Sequence, residues 1–168
     1  METYTKNTYN THSKLHEQKG KKKLNILIVD DDEDGAECLK NILELHNHSV
    51  QIINDSIRCI ASCQNNKYDI VFMDYHMDGL DGSQLTHILK EQQLVNTIIF
   101  AYTGDNSKSV ICSFKDAGMN GAIIKPINLE AFELLLSHIE EHYYFSQQHA
   151  SIIAKKSNKS ILIFQEFL

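Results

Sequence analysis

Five apolar runs of strand length punctuate this chain: Leu24 to Val29, Val50 to Ile53, Ile70 to Met73, Ile98 to Ala101 and Ala122 to Ile124. Most are rich in β-branched residues, and turn or polar residues bound them, so they read as strands. The stretches between them carry helical spacing instead. Ala36, Leu39, Leu43 and His46 share one face, as do Leu85, Ile88 and Leu89, and then Val110, Ile111, Phe114 and Ala117. The last helical stretch sets Leu129, Phe132, Leu135, Leu136, Ile139 and Tyr143 on one side and Glu130, Glu133, Glu140 and Glu141 mostly on the other. A strand followed by a helix, five times over, implies an α/β fold with a parallel sheet and helices on both faces.

A parallel sheet of this kind binds its ligands at the carboxyl ends of the strands. Asp30 and Asp31 follow the first run, with Asp32 and Glu33 beyond them; Asp74 follows the third, Thr103 comes just after the fourth, and Lys125 follows the fifth. Nothing comparable follows the second run, which suits a strand at the sheet edge. Clustered carboxylates repel one another unless a cation neutralises them. A hard divalent ion that takes oxygen ligands, Mg²⁺ above all, fits that need, and among Cys and His only His76 stands in the cluster. With the cluster neutralised, one carboxylate can attack a phosphoryl group while Lys125 and Thr103 bind its oxygens.

Composition narrows the function classes. The 168 residues suit one domain, and 42% hydrophobic content is enough for a core. The net charge of −6 is uneven: residues 1–23 carry +4, residues 24–145 carry −12 and residues 146–168 carry +2. An acidic body argues against nucleic-acid binding by the central domain. The basic cluster "KGKKK" at Lys19 to Lys23 reads as part of a solvated, disordered arm over residues 1–23. No apolar run approaches membrane length, residues 1–23 lack the apolar segment of a signal peptide, and a cytoplasmic protein is expected. Cys38, Cys59, Cys63 and Cys112 form no CxxC pair and read as reduced thiols.

Four segments, "ILIVDDD" at Ile26 to Asp32, "VFMDYHMDGLDG" at Val71 to Gly82, "AYTG" at Ala101 to Gly104 and "KP" at Lys125 and Pro126, stand in order at the strand ends. In these the chain resembles a response-regulator receiver domain of two-component signalling, of the stand-alone type, over about residues 24–145. The resemblance implies a flavodoxin-like (βα)5 doubly wound sheet with strand order 2-1-3-4-5. It implies that Asp74 is phosphorylated by a histidine kinase or histidine phosphotransfer protein, and that Mg²⁺ is held by the carboxylates of Asp31 and Asp74, by the backbone carbonyl of His76, and by Asp30 mostly through water. Thr103 and Lys125 then bind the phosphoryl oxygens, and a cis bond before Pro126 aims the lysine. Phosphorylation shifts the domain to an active conformation that changes binding of a downstream protein partner, a homodimer being one form of that contact. Apart from assisting its own phosphotransfer and dephosphorylation, such a domain is not an enzyme.

The chain departs from the usual receiver pattern at three places. Asp78 stands where many receivers have Pro, which adds charge and loosens the loop. Ala122 stands where a Tyr or Phe commonly swings inward on phosphorylation. Tyr102, beside Thr103, is a candidate substitute, although a partly buried packing tyrosine is the plainer reading. His76 and Asp105 occupy positions that tune the lifetime of the phosphate in the family.

Two other readings share the fold. A receiver-shaped interaction module that ignores phosphorylation is suggested by Ala122 and Asp78, against the presence of all five site residues. A flavin-binding protein or aspartate-nucleophile phosphatase is opposed by the acidic turn after the first run and by His76, where such phosphatases usually carry a second Asp. His138 and His142 read as a surface pair rather than a metal site. Val110, Ile111 and Phe114 read as core, with the other side of that helix left to dock partners. The terminal "ILIFQEFL" is apolar enough to pack on the domain, on a second copy or on a partner, and the role of the 146–168 extension stays open.

Overall fold

The computed structural model describes residues 22–94, 97–142 and 147–165. The expected N-terminal arm lies almost entirely outside them, as do Tyr143 and the side chains of Glu141 and His142. The chain runs β1 (Asn25–Val29), α1 (Glu33–Leu45), β2 (Ser49–Ile53), α2 (Ser56–Asn65), β3 (Ile70–Met73) and α3 (Gly82–Glu91). It continues through β4 (Ile98–Thr103), α4 (Lys108–Asp116), β5 (Gly121–Ile124), α5 (Leu129–His142), α6 (Gln147–Lys156) and β6 (Ile161–Ile163). The first five strands are parallel in the order 2-1-3-4-5.

Strand alternation sorts the core into two layers. Ile26, Ile28, Ile70, Phe72, Phe100, Tyr102 and Ile123 pack against α1, α5 and α6. Leu27, Val29, Val71, Met73, Ile99, Ala101 and Ala122 pack against α2, α3 and α4. The central strands carry apolar side chains on both faces because both faces are covered. Local chemistry starts the helices: Asp81 and Gln84 form a capping box on α3, and the Asp55 carboxylate accepts from the Arg58 N–H on α2.

The sheet does not end at β5. β6 pairs antiparallel with it, Ile161 opposite Ile123 and Gly121 opposite Ile163, and the order becomes 2-1-3-4-5-6. Of the three destinations open to the apolar terminal segment, the domain itself is the one taken by Ile161 to Phe164. Gly121 permits the close approach, since a Cβ there would collide with the Leu162 carbonyl and the Phe100 ring. Asn120 ties the join together: its side-chain oxygen accepts from Ile99 N–H at 2.9 Å, and its carbonyl accepts from Phe164 N–H at 2.8 Å. Ile153 of α6 and Ile161 of β6 are fully buried in the α1–α5 layer. Ile153→Ala is therefore expected to reduce unfolding free energy by about 2–4 kcal/mol in urea titration, whereas a loss below about 0.5 kcal/mol would mean that α6 is only loosely seated.

The α5 reading needs correction at two places. Glu140, assigned to the polar side, is buried, with its Oε1 3.0 Å from Nε2 of His48. The helix lies beside the segment leading into β2, so it buries more than one apolar stripe, and the burial pairs an acid with an imidazole. Leu129, assigned to the apolar face, sits at the helix start and is 48% exposed. His46 is half-buried, 3.7 Å from Glu133 on α5. The four cysteines are free. Nδ1 of His138 bonds its own helix at the Leu134 carbonyl, 2.8 Å away. Among the described residues, no helix is long and apolar enough to cross a membrane.

Candidate functional site

Ladder hydrogen bonds carry on past the strand ends and fix the backbone of each site residue. Asp30 N–H donates to the Ile53 carbonyl at 3.1 Å, Asp74 N–H to Val29 at 2.8 Å and Lys125 N–H to Thr103 at 2.8 Å. Asp30 and Asp74 thus stand on neighbouring strand ends, both buried, with the exposed Asp31 beside them. One carboxylate oxygen from each of the three lies within 4.8 Å of the other two. Lys125 Nζ reaches over them, 2.8 Å from Asp30 Oδ2 and 3.1 Å from Asp74 Oδ1.

Thr103, placed after the fourth run by sequence, is the last residue of β4 and is fully buried. Its hydroxyl accepts from Asp105 N–H at 3.1 Å, which leaves its own proton to donate. The Asp105 carboxylate accepts from Ser107 N–H at 2.7 Å, and this bond and the serine hydroxyl hold its pKa below the usual range. His76 stands exposed with Nε2 3.6 Å from Asp105, so the two residues form one rim of the site mouth. The His76 backbone N–H, close to Asp74, exerts a small downward pull on its carboxyl pKa. Asp78 N–H donates to Asp31 at 3.3 Å, so the loop that replaces the family's Pro fastens a carboxylate of the cluster. Gly82 lets that loop close, because a Cβ there would run into the Asp74 carbonyl.

One ammonium against three carboxylates leaves the site short of positive charge. Burial pushes the Asp74 carboxyl up, Lys125 pulls it down, Asp30 pushes it up again, and the result is a rise. Burial by itself would lower Lys125, yet Asp30 and Asp74 outweigh it and raise the lysine. Both directions follow from the same arrangement: the lysine serves two acids, and Asp74 receives part of one cation. The donor set is all hard oxygen, which suits an ion such as Mg²⁺ or Ca²⁺ and not a thiolate-loving metal. A raised folded-state pKa stabilises the fold only below the ordinary carboxylate range, and that contribution is lost as pH rises through the raised value. At neutral pH without divalent ions the Asp74 charge therefore opposes folding. Asp74→Asn is expected to raise Tm by about 2–5 °C in EDTA, with the gain shrinking in acid; thermal denaturation showing a lower Tm would contradict this electrostatic account.

Two of the sequence readings concern opposite faces of the sheet. Ala122 is fully buried against α2, α3 and α4, whereas Tyr102 packs in the layer of α1 and α5. Tyr102 therefore does not stand in for an aromatic at position 122. The Lys125–Pro126 bond is cis.

The chain matches the family described as the response regulator receiver domain over residues 26–137. It is 31% identical to the CAI-1 autoinducer sensor kinase/phosphatase CqsS of Vibrio cholerae over 111 residues, 65% of this chain and 16% of that protein. It is 29% identical to the sensor protein EvgS of Escherichia coli over 154 residues, 87% of this chain and 12% of that one. The match thus spans a small part of those long relatives. A two-component response regulator from Clostridium difficile superposes with a TM-score of 0.65 at 28% identity, over 70% of this chain and 96% of that one. A CheY-like receiver domain protein from Methanospirillum hungatei gives 0.61 at 21% identity, over 82% and 99%. With the strand order, the acidic cluster and a match over two-thirds of its length, the chain belongs to the response regulator receiver domain family.

Proposed function

We propose that this chain is a phosphoacceptor receiver of a two-component or phosphorelay system, with Asp74 as the residue phosphorylated. The observation that carries the reading is Lys125 Nζ bridging Asp30 and Asp74 at the strand ends where Asp31 completes the cluster. The carboxylates of Asp30, Asp31 and Asp74 with the His76 carbonyl are the groups that would hold Mg²⁺, whose charge offsets that of the phosphoryl oxygens. An Asp74 oxygen attacks phosphorus, the P–N bond to a donor histidine breaks, and the leaving imidazole keeps the electron pair and takes a proton. Lys125 turns from the carboxylates to one phosphoryl oxygen while the Thr103 hydroxyl donates to another. His76 and Asp105, at the rim, are placed to govern the approach of the water that later hydrolyses the acyl phosphate.

The upstream partner in this reading is a histidine kinase or a histidine phosphotransfer protein. It is supported by a likeness in fold to the receiver of Ssk1, whose co-crystal structure with the Saccharomyces cerevisiae phosphotransfer protein Ypd1 is known; that receiver is 21% identical with a TM-score of 0.65. The signal passes as a shift between two conformations that alters binding of a downstream protein. The location is cytoplasmic, and the domain catalyses nothing beyond its own phosphotransfer and dephosphorylation. One methyl group at Ala122 cannot carry the aromatic swing, which keeps a phosphorylation-independent interaction module as the second reading. Incubation with acetyl phosphate and Mg²⁺, followed by intact mass, separates the two. A gain of one phosphoryl group that EDTA prevents is expected, and an unchanged mass under both conditions would favour the interaction module.

A further inference from the structure

We propose that Tyr102 is a positioning residue for Lys125, its ring forming the platform that holds the ammonium over the acidic cluster. This rests on the phosphoacceptor reading and adds a residue to it. The Lys125 Nζ lies 4.6 Å from the centroid of the Tyr102 ring while bonding Asp30 and Asp74. Strand register brings the two together. Tyr102 pairs with Ile123 across β4 and β5, so Lys125, two residues further on, leaves the sheet on the same face as its diagonal neighbour. That face is the layer of α1 and α5, and the lysine must cross it to reach Asp30 and Asp74.

A flexible lysine has many ways to miss a target. The negative face of an aromatic ring attracts a cation within about 6 Å of its centroid, and the attraction grows where water is excluded. The Tyr102 ring is 6% exposed, packed in the core, and so cannot move away from the lysine. Any apolar side chain of similar bulk would fill the same volume, but only an aromatic ring also holds the charge. Burial pushes the phenol pKa up. The hydroxyl thus stays neutral at physiological pH, and the ring is the part that acts. Tyr102 differs in this from a residue that swings with the phosphoryl group: it is a fixed surface on which the lysine turns from the carboxylates to the phosphoryl oxygens.

The test compares the full chain with Tyr102→Phe and Tyr102→Leu. Fluorine NMR follows beryllofluoride binding at saturating Mg²⁺, and thermal denaturation is recorded in parallel. Tyr102→Leu is expected to bind beryllofluoride about tenfold more weakly, while Tyr102→Phe, which keeps the ring, restores wild-type affinity. Stability alone does not decide, because both substitutions alter a core residue. A Tyr102→Leu protein with wild-type affinity, whatever its Tm, would overturn the proposal, as would a Tyr102→Phe protein as weak as the leucine variant. If the wild type itself takes no beryllofluoride in Mg²⁺, the phosphoacceptor reading falls first and this proposal with it.

Discussion

Asp74→Asn is expected to take up no phosphoryl group from acetyl phosphate, a loss of at least about 10³-fold in rate, while remaining folded. An amide oxygen is a poor nucleophile, and no other carboxylate has the same setting. Asp30 is almost fully buried with its Oδ2 engaged by Lys125 and its Oδ1 accepting from Asp32 N–H at 3.0 Å. Asp31 is exposed, with one oxygen held by Asp78 N–H. Asp74 is buried beside the exposed Asp31 and meets Lys125 through Oδ1 at 3.1 Å. Because the same substitution is expected to stabilise the metal-free fold, loss of uptake by a more stable protein cannot be ascribed to unfolding. Phosphorylation of Asp74→Asn at the wild-type rate would place the acceptor elsewhere.

Lys125→Met should have two opposite effects. Phosphoryl uptake is expected to slow by about 10²–10³-fold, the order seen when one preorganised donor to a developing oxyanion is removed. Mg²⁺, however, is expected to bind more tightly. Lys125 competes with a divalent ion for Asp30 and Asp74, and its removal leaves three carboxylates for the ion. Calorimetric titration with Mg²⁺ reads the second effect, and single-turnover phosphorylation reads the first. A variant that loses Mg²⁺ affinity along with phosphorylation would show that the lysine organises the acids instead of competing for them.

The parallel sheet and most of the site were legible because strand ends and apolar runs coincide. "IVFM" followed by Asp74 says both where a strand stops and which edge it serves. The β5 extension was not legible in the same way. The run Ile161 to Phe164 is as long as the third strand's but stands outside the strand–helix repeat, and what selects the position of Ile161 is Gly121 forty residues earlier, through the room it leaves for the Leu162 carbonyl. Glu140 misled for a similar reason: helical periodicity assigns faces to an isolated helix, while its burial comes from His48 on a different element. Tyr102 was visible as a residue beside Thr103, but its partner was not. The diagonal pairing across β4 and β5 depends on register, which the two runs do not specify by themselves.

The placement of one phosphoryl group tests the account most directly. After reaction with acetyl phosphate in Mg²⁺, borohydride reduction converts an acyl phosphate into a stable alcohol that peptide sequencing by mass spectrometry can assign. Reduction at Asp74 alone, abolished by EDTA, is the predicted result; reduction at Asp30 or Asp31, or at no residue, would contradict it.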